Sequence, residues 1–200
     1  MKSLLIAKFA LLAAAVSLAP LAATAQTKLV VKPLAEKKVQ ALPSGPLFWQ
    51  VETLPTLAQA QAAAGPTGLA VESAGKAWLF RLGSKGMGPT EGGKHMAEVG
   101  PVPAVPATEF LLRINEATGP AGSITSVHTH PGSEAFYVLA GEQTIRSPHG
   151  VMRVKAGQTE TGHGADVPMQ VSSSGAADLH ALVMFVVDAG KPFSSPAKLP

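Results

Sequence analysis

Two histidines one residue apart, His128 and His130, and a carboxylate four residues further on, Glu134, are the groups of this 200-residue chain best spaced for chemistry. They lie in GSITSVHTHPGSEAFYVLAG, residues 122–141. If residues 124–130 form a strand, side chains alternate faces and both imidazoles point the same way. Pro131, Gly132 and Ser133 are turn formers. Glu134, Phe136 and Val138 then share one face of the next strand. When that is the face the histidines use, two imidazoles and a carboxylate meet across a hairpin. Such a donor set suits a divalent ion, Fe, Mn, Zn or Ni, with coordination positions left open. The competing reading of the same residues is a hydrogen-bonded cluster without metal.

The segments that must position these groups read as short strands between turns. From residue 109 onward the candidates are 109–115, 124–130, 135–139, 143–147, 151–155, 169–173 and 179–187. Turn residues fall at 118–120, 131–132, 140–142, 148–150, 156–157 and 174–175. Many short strands at close spacing argue a β-sandwich or barrel. Upstream, residues 27–46 read as a charged arm in which 29–31 pairs as an edge strand. Residues 47–52 (LFWQVE) read as a strand and 55–64 (PTLAQAQAAA) as a short helix that Gly65 stops. Residues 69–72 and 76–82 form a hairpin pattern. The Gly- and Pro-rich stretch 83–106 reads as a long surface loop, with His95 a solvated loop histidine.

The central stretch resembles the first signature of the cupin superfamily, G-x5-H-x-H-x3-4-E-x6-G, at Gly122, His128, His130, Glu134 and Gly141. The resemblance implies an all-β fold, the cupin double-stranded β-helix or jelly-roll barrel, with one short N-terminal helix added. It is specific over residues 109–187 and says little about 26–108. The expected organisation is a signal peptide at 1–25, an N-terminal arm, strands and loop completing the barrel at 26–108, a cupin core at 109–188 and a C-terminal tail at 189–200. Cupins usually carry a second signature whose histidine is the fourth metal ligand. Here GQTETGHGADVPMQVSSSG, from Gly157, is its counterpart, with Met169 near the expected histidine and one residue too many in between. Three readings stand. Met169 is core packing beside a three-ligand site, or Met169 itself ligates and favours Cu, or His163 turns inward between its flanking glycines and replaces the missing ligand. Phe136, Val138, Met169 and Val171 are candidate pocket lining. The resemblance also implies a small-molecule substrate or ligand inside the barrel and a homodimer paired through barrel edges. Either an enzyme of O₂ or Lewis-acid chemistry or a non-catalytic binder fits, and no residue is assigned a catalytic role. Cysteine is absent, no serine sits in G-x-S-x-G, and no phosphate loop appears, so nucleophile-triad and nucleotide readings have no motif.

Residues 1–25, MKSLLIAKFALLAAAVSLAPLAATA, read as a secretory signal peptide. Lys2 and Lys8 supply the positive start, an apolar run follows, and Ala23-Thr24-Ala25 is a small-x-small cleavage site. Pro20 interrupts the run, which is short for a membrane span. The expectation is a periplasmic or secreted protein cleaved after Ala25, with no stable membrane insertion afterwards. Removing Lys2 and Lys8 changes 16 basic against 13 acidic residues to 14 against 13, so the net charge falls from +3 to +1. Nothing in that balance predicts a nucleic-acid partner.

Overall fold

The computed structural model describes residues 27–200; the leader expected at 1–25 lies outside the described residues. The N-terminal part runs β1 (Val30–Val39), β2 (Phe48–Leu54), α1 (Leu57–Ala63), β3 (Gly68–Ser73), β4 (Lys76–Gly83) and β5 (Lys94–Val99). The remainder is strand: β6 (Phe110–Gly119), β7 (His128–Thr129), β8 (Gly132–Ala140), β9 (Glu142–Ser147), β10 (Gly150–Lys155), β11 (Thr159–Glu160), β12 (Gln170–Ser173), β13 (Leu179–Asp188) and β14 (Ser195–Pro196). They form a five-stranded sheet in the order β1-β6-β13-β8-β11, a three-stranded sheet β10-β9-β12, a β14-β7 pair and a four-stranded sheet β3-β4-β2-β5. Every strand-to-strand pairing is antiparallel.

The central strands β6, β13 and β8 of the five-stranded sheet are buried on both faces, while edge strand β1 is largely exposed, and the sequence shows why. LHALVMFVVD of β13 is apolar at nearly every position. Its Ala181, Val183, Phe185 and Val187 join the core inside the barrel, with Phe136, Val138, Ile145, Met169 and Val171. Its Leu182, Met184 and Val186 face the other way, into a second core with Trp49, Trp78, Phe80, Ala135 and Tyr137. Fully burying one such aliphatic or aromatic side chain contributes roughly 1.5–3 kcal/mol, so neither face can be left to water. The barrel is therefore closed on one side by the three-stranded sheet and covered on the other by the four-stranded one. This is the all-β double-stranded β-helix that the central motif implied, with a third layer added.

Three expectations need correction. Residues 26–108 do not complete the barrel as a unit. Only β1 joins it, paired along β6 from Val30↔Thr118 to Val39↔Phe110, while β2–β5 build the covering sheet that the outer apolar row of β6, β8 and β13 demands. The loop expected over 83–106 contains β5, which pairs along the edge of β2 from Trp49↔Val99 to Thr53↔Lys94. Its half-exposed sequence, KHMAEV, carries no apolar alternation to announce a strand, and His95 is exposed on it, opposite Glu52. The helix begins after Thr56, whose side chain caps it by accepting from the Gln59 amide at 3.2 Å; Pro55 precedes the cap. Among the described residues no helix is long and apolar enough to cross a membrane.

Trp78 ties the covering sheet to the barrel. Its indole N–H donates to the Ser73 carbonyl at 2.9 Å, and its ring meets Tyr137 of β8 edge-on at 5.8 Å. Trp78→Ala should cost about 3–5 kcal/mol. In urea unfolding followed by circular dichroism, the loss should appear in a single transition shared by both layers. A cost below about 1 kcal/mol, or separate transitions, would mean that the cover is independent of the barrel.

Candidate functional site

A cavity of about 580 Å³ opens between the two barrel sheets, and His128, His130 and Glu134 all line it. The two imidazole rings stand edge to face, with centroids 5.0 Å apart. Each is oriented from behind by a main-chain carbonyl. His128 Nδ1 lies 2.8 Å from the Ser126 carbonyl oxygen, and His130 Nδ1 lies 2.7 Å from that of Phe193. A carbonyl only accepts, so each Nδ1 carries a proton, and Nε2 is the nitrogen that holds the lone pair in the neutral ring. Carbonyl-fixed imidazoles with a bare second nitrogen are the form in which histidine ligates metal.

Phe193 belongs to the C-terminal tail, which folds back over the site. β14 pairs with β7, Ser195 opposite Thr129 and Pro196 opposite His128. The Phe193 ring packs on His130 at 4.7 Å and on Phe185 at 4.9 Å, and the Arg113 guanidinium lies 4.0 Å over its other side. Arg113 is itself held by Glu36 at 2.7 Å and by the Asn115 side-chain oxygen at 2.7 Å. His130 is consequently dry. Burial, with smaller contributions from His128 and Arg113 and against the Phe193 hydrogen bond, pushes its pKa down to about 4. The ring is neutral at pH 7.

Glu134 is 2% exposed, and its Oε1 is buried without a hydrogen-bond partner. Burial alone pushes its carboxyl up to about 8, so the acid holds its proton at neutral pH. The loop over it approaches closely. At Gly162, where φ is +60°, a Cβ would lie 2.9 Å from Glu134 Cγ and from Phe136 Cε2. Glycine is required there by both conformation and space.

The other expected residues divide. Phe136 and Val171 line the cavity. Val138 does not: it is fully buried in the barrel core, one step further along its strand. Met169 exchanges two main-chain hydrogen bonds with His128, 2.8 and 3.0 Å, which places them directly opposite with side chains on one face. Its side chain is buried among Phe136, Val138 and Val171 and is not part of the lining. His163 does not turn inward. Its carbonyl faces Glu134 N at 3.4 Å, while its ring packs against His149 at 5.6 Å, outside the cavity. Burial is the main cause of its lowered pKa, His149 adds to it, and Glu160 opposes it. His180 points away from the cavity into the layer below, where its Nε2 lies 2.9 Å from Glu116 and 3.0 Å from Ser73. Arg113, Asn115, Gln143 and Phe193 line the cavity and were not singled out from sequence. Gln143 shares strand parity with the buried Ile145, which was its one available signal.

The donor types fit a divalent metal: two imidazoles engaged only at Nδ1 by main-chain carbonyls and a carboxyl oxygen lacking any partner. They are not gathered, however. Among the described residues no three His, Cys, Asp or Glu side chains are close enough to hold an ion as they stand.

No family model and no curated protein matches this chain. Among solved structures, it is similar to a cupin-like protein from Thermotoga maritima, at 13% identity and TM-score 0.39 over 44% of this chain and 65% of that one. A double-stranded β-helix protein from Klebsiella pneumoniae matches at 20% identity and TM-score 0.38, over 44% of this chain and 75% of that one. A DMSP lyase from Ruegeria pomeroyi matches at 23% identity and TM-score 0.38, over 43% of each chain. The matched stretch is thus just under two thirds of the Thermotoga protein's length. Strand order and the spaced motif of this chain itself define the cupin fold.

The two buried groups predict a pH profile for metal-stripped protein. His130, with its pKa lowered to about 4 in the fold, makes stability rise with pH between about 4 and its ordinary 6.5. Glu134, raised from 4.5 to about 8, makes stability fall across that interval. The two slopes oppose each other from about pH 4.5 to 6.5, leaving a plateau. Above it, Glu134 acts alone and stability should decline to about pH 8. Urea midpoints across pH should show the decline in the parent protein and its absence in Glu134→Gln. A decline that persists in Glu134→Gln would assign it elsewhere.

Proposed function

We propose that the barrel cavity binds a divalent metal ion through His128, His130 and Glu134, and a small, largely apolar molecule beside it. The observation that supports this reading is the pairing of two carbonyl-fixed imidazoles with a buried carboxyl that has no partner. Gathering the three onto a cation would satisfy Glu134 Oε1 and ionise the carboxyl, since an opposite charge at contact distance favours the carboxylate. A divalent ion there supplies Lewis-acid or O₂ chemistry with positions open to a substrate. The chain's own residues exclude water through Phe136, Phe185 and Phe193, orient both rings and hold the proton on Glu134 until a cation replaces it. Export through the leader, with cleavage after Ala25, and pairing of two copies are part of the same proposal.

A second reading is a non-catalytic binder with no metal. It is favoured by the spread of the three donors and by a carboxyl that is neutral without a cation. Metal affinity at one pH separates the two. Manganese or zinc titration should show one ion per chain in the parent protein. His128→Ala should lose most of that affinity, because two remaining ligands hold a divalent ion poorly. Met169→Leu, nearly volume-conserving, should keep it at a stability cost below about 1.5 kcal/mol. His163→Ala should also keep it, its ring being outside the cavity. Absence of uptake by the parent supports the metal-free binder, and a loss in Met169→Leu as large as in His128→Ala points to a soft-metal site.

A further inference from the structure

Beyond Glu134, the inner wall of the barrel holds three buried polar atoms without a protein partner: Nε2 and Oε1 of Gln143 and the hydroxyl oxygen of Ser173. Gln143 and Ser173 are paired across β9 and β12, so their side chains share the inner face. Gln143 lines the cavity and is 0% exposed. Burying a carboxamide with neither of its groups paired is costly, and native cores rarely contain one.

Its place in the cavity suits a ligand. On β12 and the residue before it, Met169 marks the row of His128 and Ser173 marks the row of Gln143. Four residues at roughly 3.3 Å each separate the rows by about 13 Å. Phe136, Val171, Val183 and Ala117 line the stretch between. The cavity is therefore polar at the histidine end, mainly apolar in the middle, where Asn115 stands in the row of Val183 and Phe136, and polar again at Gln143.

We propose that Gln143 selects the ligand of this cavity, pairing both its amide atoms with the flat carboxamide, lactam or imide head of an otherwise apolar small molecule. Nε2 donates to the ligand carbonyl, and Oε1 accepts the ligand N–H. A carboxylate or ketone head offers only acceptors and leaves Oε1 buried and unpaired, which is what rejects it. The proposal rests on the reading that the cavity takes a small molecule, and is independent of the metal.

Calorimetric titration of the purified protein with 4-butylbenzamide, 4-butylacetophenone and 4-butylbenzoate tests it. The amide should bind about tenfold more tightly, or better, than the other two. Gln143→Leu should abolish the preference, bringing the amide and the ketone to equal affinity. Its unliganded melting temperature should be no lower than the parent's, because it removes two orphaned polar atoms. His130→Ala should keep the preference for the amide, which separates this selection from metal binding. Ketone and amide binding equally would overturn the role of Gln143 alone. Binding of none of the three would overturn the small-molecule reading and this proposal with it. A Gln143→Leu protein that melts well below the parent, with no amide preference in the parent, would make Gln143 a structural residue bridged by water and also overturn it.

Discussion

Burial of one sheet on both faces is the constraint on which the rest of the structure depends. Along β6, β8 and β13, successive side chains go alternately into the barrel and into the layer below. The inner set is Arg113, Asn115, Glu134, Phe136, Val183 and Phe185, and these residues line the cavity. The outer set is Leu112, Ile114, Ala135, Tyr137, Leu182, Met184 and Val186, and these residues need a cover. A slip of one residue in any of these strands would exchange the sets and send Glu134 into the apolar layer. The covering sheet of β2–β5 therefore bears on function, although it lines no part of the cavity. It fixes the register that aims Glu134 inward.

The same constraint explains what was legible in the sequence. The motif from Gly122 to Gly141 has its own spacing, and it does bring His128, His130 and Glu134 to one cavity, but not across the expected hairpin: only His128–Thr129 of 124–130 is strand, β7 pairs with β14, and β8 pairs with β13 and β11. The β3–β4 hairpin and α1 announce themselves through the paired runs 69–72 and 76–82 and through the Ala-rich run that Gly65 stops. The N-terminal layer does not. The continuous apolar run of β13 says that both its faces are covered, but not which residues supply the second cover. Edge pairing hid β5, because its backbone is satisfied by β2 while its side chains stay polar. The contribution of the tail was equally hidden. Phe193 acts on His130 through its carbonyl oxygen, an atom every residue carries, and no side-chain pattern reveals such a role.

His163 and Met169 show how similar sequence signals part in three dimensions. Glycines around His163 permit the loop to lie against Glu134, but it is the main chain that makes the approach, at Gly162, and the imidazole is turned toward His149. Met169 keeps the position directly across from His128 while its thioether is absorbed by the apolar packing of Phe136, Val138 and Val171. The wall opposite the tail is thus hydrophobic where the motif's histidine would add a donor. The polar group that the barrel does bury is Gln143, two rows further in.

Two imidazoles, each held at Nδ1 by a main-chain carbonyl and lining one cavity with a buried carboxyl, are the centre of this account. Long-range proton–nitrogen correlation spectra of the histidine rings test that arrangement directly. At pH 7, His130 should show the neutral form protonated at Nδ1, His128 should carry a proton on Nδ1, and added zinc should shift both Nε2 resonances together. Rings protonated at Nε2 alone, or resonances unmoved by zinc, would contradict it.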